Sequence, residues 1–177
     1  MNALYVIFHG KWKNSMNNIL SFDVSSVSTG WSFFRLGKLE SFGTITPLKE
    51  YRLQEKLYWF KTEVKSLLRI FNPYYVIIEQ TYLKNVTTLK VLTQFIAMVN
   101  IECFTEIDIE PIFISPQTVR SHFGVKTKEE AYEYVKNKYK VKFKHYTFET
   151  GNDITDSVLQ GMYWWDVLRE EGENNER

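Results

Sequence analysis

Hydrophobic residues fall along this chain in two rhythms. Residues 18–24 form a short apolar run that ends at the small residues 25–30, which predicts a buried strand followed by a turn. Residues 31–36 and 38–45 read as two more strands, with Gly37 in the tight connection. Links this short imply antiparallel hairpins. After Pro47 the rhythm changes. Leu53, Leu57, Phe60, Val64, Leu67 and Phe71 recur at helical spacing, and Asn72-Pro73 stops that helix. Residues 76–79 predict a fourth strand, reached by a helical crossover and so parallel to the first. A second amphipathic helix spans 86–103, with Leu89, Leu92, Phe95, Ile96 and Val99 on its apolar side. Residues 109–114 read as a fifth strand, where Pro111 marks an edge or a strand start. Three helices complete the chain. One covers 116–123 and is closed by Gly124. One covers 127–138, with Thr127 as N-cap and Glu130 in the capping-box position. The last covers 153–168, opened by Asp153 and Asp156.

These elements predict the α/β class: a five-stranded mixed sheet, three antiparallel then two parallel strands, flanked by helices. Residues 18–169 make one domain. Residues 1–17 read as a detached leader and 170–177 as an acidic, flexible tail.

Composition narrows the function classes. The 177 residues are 44% hydrophobic, which suits one globular domain with a real core. No apolar run approaches the ~18 residues of a membrane span, so no membrane is expected. A short apolar patch at 4–8 lacks a small-residue cleavage site, which argues against a secretory signal. A lone cysteine, Cys103, leaves no internal disulfide and fits the cytoplasm. Net charge is only +1. Yet residues 120–144 hold eight Lys or Arg against three Glu, which points to an anionic partner over part of the surface.

Two carboxylates break the hydrophobic pattern. Asp23 lies inside the apolar run of the first strand, and Glu79 ends that of the fourth. An unpaired charge in such a place costs several kcal/mol. Asp153 and Asp156, at i and i+3, are helix neighbours. Crowded carboxylates repel, and divalent cations remove the conflict. All-oxygen ligands favour Mg²⁺ or Mn²⁺ over zinc. Blander readings stay open: the Asp pair can serve a helix N-terminus, and Glu79 can be a strand-end surface residue.

At these residues the chain resembles a known family. The stretch NILSFDVSSVSTGW at 18–31 looks like the first strand and turn of RuvC-type Holliday junction resolvases, which have the ribonuclease H-like fold. VIIEQTY at 76–82, ISPQTVR at 114–120 and NDITDS at 152–157 resemble three further motifs of that family, in order and with similar gaps. Small size and divergent sequence are more like the phage versions, which would put the chain in a host cytoplasm. The resemblance implies that Asp23, Glu79, Asp153 and Asp156 are the catalytic carboxylates and hold two Mg²⁺ ions, which Mn²⁺ can replace. It makes Tyr82 a base-stacking residue, with loop packing as the alternative. It gives Arg120 a contact to DNA, with Lys126 or Lys128 as a further basic contact; Lys84, near Tyr82, is another candidate DNA-binding residue. Helix 86–103 would carry a homodimer contact or pack within the monomer.

Ser25 stands where the family usually has glycine. The stretch 138–144 looks added before the final helix. Its period of two puts lysines on one side. That reads either as a cationic ribbon along DNA phosphates, including Lys140 and Lys142, or as an edge strand guarded by lysines. The activity expected is metal-dependent, structure-selective hydrolysis of four-way DNA junctions by a dimer, leaving 5′-phosphate and 3′-hydroxyl ends. No nucleotide cofactor is expected. Alternatives are a nuclease of the same fold acting on other branched DNA, flaps or RNA–DNA hybrids, or a non-catalytic junction-binding module. An actin-like kinase is disfavoured by the short chain.

Overall fold

The computed structural model describes residues 17–80, 86–140 and 142–175. Strands β1 (Asn18–Asp23), β2 (Thr29–Arg35) and β3 (Lys38–Ile45) form the antiparallel half of the sheet. Strands β4 (Tyr75–Glu79) and β5 (Ile112–Ile114) complete it, parallel to β1. The order is β3-β2-β1-β4-β5, the mixed sheet that the sequence predicts. The β2–β3 turn places Leu36 and Gly37 at φ 50° and 73°, the left-handed pair of a two-residue hairpin.

Helices cover both faces. Alternation along β1 sends Leu20 and Phe22 to one face, where they pack with Phe60, Val64 and Leu68 of α1 (Leu53–Phe71) and Phe95, Val99 and Cys103 of α2 (Val86–Ile107). Ile19 faces the other side, against Ile154, Val158 and Leu159 of a long helix α5 (Phe148–Asn175). The short helices α3 (Pro116–Phe123) and α4 (Lys128–Lys138) share that second layer. Thr127 caps α4 as expected, its hydroxyl accepting from the Glu130 amide at 3.1 Å.

By length and composition alone α2 could cross a membrane, an apolar stretch longer than the sequence reading allowed. Here it is a layer of the domain. It is tied to α1 by Lys61–Glu102 at 3.4 Å and by Lys65 and Arg69 to Glu106.

Two boundaries differ in ways that matter. Helix α5 begins at Phe148, so Asp153 and Asp156 are its sixth and ninth residues and do not open it. Helix-dipole stabilisation fades within the first turn, so that bland explanation of the Asp pair fails. The helix also runs to Asn175, through most of the segment read as a tail. The second difference is at 139–146. Residues 139–140 and 142–145 make tight turns, with Lys142 and Phe143 donating backbone N–H to the Tyr139 carbonyl at 2.9 and 3.1 Å. The alternation of lysines there is not that of a strand, because Tyr139 and Phe143 are drawn inward by separate turns rather than by a pleat.

Candidate active site

The site is built where β1 and β4 end. Phe22 pairs with Ile78 in the parallel ladder, so Asp23 and Glu79 leave the sheet side by side, one strand spacing of about 4.8 Å apart. Asp23 is also opposite Gly30 in β2. Helix α5 crosses directly above this glycine. A Cβ there would lie 1.8 Å from the carbonyl oxygen of Asp153. Only a residue without a side chain lets α5 descend far enough to bring its Asp pair to the strand ends. Gly161 repeats the device further along, where a Cβ would meet Phe34 at 2.5 Å.

The turn after Asp23 accommodates Ser25 through its own hydroxyl. Ser25 Oγ accepts from the Val27 amide at 3.2 Å, and Thr29 Oγ1 donates to the Ser25 carbonyl at 2.9 Å. Side-chain bonds therefore hold a turn that glycine would otherwise permit.

Electrostatics show that the four acids share one field. Burial raises the Asp23 carboxyl well above the usual carboxylate range, and Glu79, Asp156 and Asp153 push it further. Burial, then Asp156, brings Glu79 up to about 7, against the pull of Arg120, Lys128 and Gln160. Asp156 is 6% exposed and balanced on both oxygens. Arg120 Nη2 lies 3.4 Å from Oδ1 and Lys128 Nζ 3.4 Å from Oδ2. Burial works against the Lys128 charge, but Asp156, Asp23 and Glu79 outweigh it and raise its pKa. No donor among the described residues bonds the carboxylates of Asp23 or Asp153.

Among the described residues, no three acidic, His or Cys side chains are gathered as a ready-made metal cage. Asp156 turns its two oxygens to Arg120 and Lys128. The donor set nevertheless fits a hard divalent ion. All four donors are carboxylates, two of them have no hydrogen-bond partner, and two basic side chains offset only half of the four formal charges.

The other expected basic contacts lie around this cluster, with Arg120 bridging to it through Asp156. Arg120 and Lys126 line a groove of about 530 Å³ beside α3 with Pro116, Gln117 and Gly124. Lys140 and Lys142 lie on the loop flanking β3, where Lys142 Nζ donates to the Glu40 carbonyl at 3.2 Å. Tyr82 and Lys84 fall outside the described residues.

Two residues escaped the sequence reading. Gln160, one turn after Asp156 and buried, donates to Glu79 Oε2 at 3.5 Å. Its signal was an amide in the apolar stripe of α5. Gly30 was read as turn, but it is the strand position on which α5 rests.

No protein-family model and no curated protein sequence matches the chain. Solved structures do. One of Thermus thermophilus RuvC in complex with Holliday junction substrate superposes with TM-score 0.69 at 15% identity, over 82% of this chain and 90% of that one. A second Thermus thermophilus RuvC structure gives TM-score 0.67 at 16% identity, over 82% and 91%. The yeast mitochondrial Holliday junction resolvase Ydc2 gives 0.60 at 14%, over 83% and 77%. The chain therefore has the ribonuclease H-like fold in the form these structures take.

Proposed function

We propose that this chain is a divalent-metal-dependent endonuclease that resolves four-way DNA junctions by paired phosphodiester hydrolysis. The observation that carries the reading is the convergence of Asp23, Glu79, Asp153 and Asp156, from three separate elements, onto one end of the sheet. Its fold neighbours are structures of junction resolvases, one of them holding a junction. Binding a polyanion gains nothing from four clustered acids, so a pure binding module leaves the cluster unexplained.

Asp23, Glu79, Asp153 and Asp156 would hold the Mg²⁺ or Mn²⁺ ions, which supply an activated water and neutralise charge on the phosphate under attack. The chain's own residues do the rest. Glu79 is oriented by the Gln160 amide. Arg120 and Lys128 bracket Asp156 and stand ready to meet phosphate oxygens as the strand enters. Apolar packing beneath β1 and β4 keeps the carboxylate stems rigid, so little reorganisation accompanies the reaction. Contacts of this type read phosphate position and junction shape more than sequence.

Paired cleavage needs two copies of the site. Helix α2 leaves Val86, Ile101 and Phe104 65%, 47% and 66% exposed on the side away from its core contacts. That apolar face supports a dimer through α2.

The test is nicking of a synthetic four-way junction with Mg²⁺. Asp23→Asn should retain junction binding and lose cleavage by at least 10³-fold, about 4 kcal/mol of barrier. Cleavage at the wild-type rate by this variant refutes the mechanism.

A further inference from the structure

We propose that Lys138, at the end of α4, and Lys140, Lys142 and Lys144, between α4 and α5, form a second nucleic-acid contact, which holds the phosphates of a duplex arm outside the catalytic cleft; the proposal rests on the nuclease reading above. It starts from a charge problem. The chain is nearly neutral, and the catalytic end of the sheet is acidic. Arg120 and Lys128, the cations nearest the site, are shared with Asp156 and are only two charges against four acids. Further attraction for a polyanion must come from elsewhere.

Residues 136–145 contain five lysines and no Asp or Glu. Lys136 has a carboxylate partner, Glu133 at 3.8 Å. Lys138, Lys140, Lys142 and Lys144 have none among the described residues, and all four are exposed. A loop of free lysines would normally be mobile and pay side-chain and backbone entropy on binding. This one is nailed down. Phe143 is fully buried and stacks on Phe42 of β3, ring centroids 4.8 Å apart at 15°. Tyr146 leans on both rings at 5.7 Å. The Tyr132 hydroxyl donates to the Tyr146 carbonyl at 2.7 Å. Apolar anchors face in and lysines face out, so the charges are displayed on a fixed backbone.

Position suits the role. Phe42 pairs with Ser32, which pairs with Ser21, two residues before Asp23. Two strand spacings and two residue rises put the anchor roughly 12 Å from Asp23 along the sheet. Duplex DNA presents about seven charges over that length, at one per 1.7 Å. Guarding the β3 edge does not account for the set. Lys142 alone reaches a β3 backbone atom, while Lys138, Lys140 and Lys144 make no such contact.

The experiment compares wild type with the triple variant Lys140→Gln, Lys142→Gln, Lys144→Gln, and with the matching triple Arg variant. Binding of a four-way junction and of a plain duplex is measured in EDTA between 50 and 300 mM salt. Single-turnover cleavage is measured at saturating junction with Mg²⁺. The Gln variant should bind roughly tenfold or more weakly at 100 mM salt, and its log–log salt slope should be shallower by about 2 to 3. Its saturated cleavage rate should stay within twofold of wild type, and the Arg variant should bind as wild type does. Unchanged affinity and slope in the Gln variant overturn the loop contact and leave the nuclease reading intact. Weak binding by both variants, or a lost saturated rate with an unchanged slope, assigns the lysines a structural role and also overturns it. Wild type that neither binds nor cuts the junction overturns both readings.

Discussion

Removing the charge of Glu79 should stabilise the protein while destroying its activity. Glu79 titrates at about 7 in the folded chain because burial and Asp156 oppose its charge. In the unfolded chain its pKa is ordinary, 4.5. Below about pH 4.5 the carboxyl is neutral in both states and costs nothing. As pH rises from 4.5 to 7, the unfolded state releases the proton first, so folding stability falls across that window and stays low above it. A displacement from 4.5 to about 7 corresponds to about 3 kcal/mol. Glu79→Gln removes this penalty and keeps the polar shape. Its amide also supplies a donor for Gln160 Oε1, which is buried without one among the described residues. In EDTA at pH 8 the variant should therefore be more stable than wild type by up to about 3 kcal/mol, a rise in Tm of roughly 6–12 °C for a chain of this size. The gap should close by pH 4.5. Urea or thermal unfolding at four pH values, with and without 10 mM Mg²⁺, reads the effect. Mg²⁺ should stabilise wild type more than the variant, because cations take over the role of the proton. A variant no more stable than wild type at pH 8 in EDTA, or a gap that persists at pH 4.5, refutes the reasoning.

Two further outcomes test the architecture. Gly30→Ala inserts a methyl group where the Asp153 carbonyl lies 1.8 Å away, so it should cost about 3 kcal/mol in urea unfolding and lower junction cleavage by more than 100-fold; an unchanged urea midpoint contradicts the proposed seat for α5. Phe104→Glu places a charge on the exposed apolar face of α2, so sedimentation should show a shift from dimer to monomer with Tm preserved; an unaltered sedimentation profile removes α2 from the interface.

Much of the architecture was legible because it is written in periodicity. Apolar runs at 18–24 and 76–79 and the helical stripe at 53–71 each have one physical solution: a buried strand or an amphipathic helix. The acids were legible for the opposite reason, as violations of that pattern. What stayed hidden depends on contacts between distant segments. The first five residues of α5 carry Gly151 and Asn152, weak helix formers, so local preference started the helix too late; packing of Gly151 under the Tyr132 ring, where a Cβ would sit 3.0 Å away, supports the extra turn. Alternating lysines at 138–144 mimicked a strand, yet residues 139–140 and 142–145 are turns, with Phe143 buried against Phe42. Lys128 read as a DNA contact, with no sign in the sequence that its side chain also pairs with Asp156. Nothing local in the sequence tells which anion a lysine will face.

Strand β2 and the hairpin that follows it touch α5 at two glycines with different tasks. Gly30 supports the helix near its acidic end, and Gly37, at the far hairpin, lies under Trp165, whose ring is 2.3 Å from where a Cβ would be. The helix thus rests on two fulcra set in one rigid beam. Pressing up at the hairpin tilts the opposite end down, so a bulkier residue at position 37 would misalign chemistry about 20 Å away without touching any reacting group. Variation at that remote corner offers evolution a dial on catalysis that leaves every acid in place.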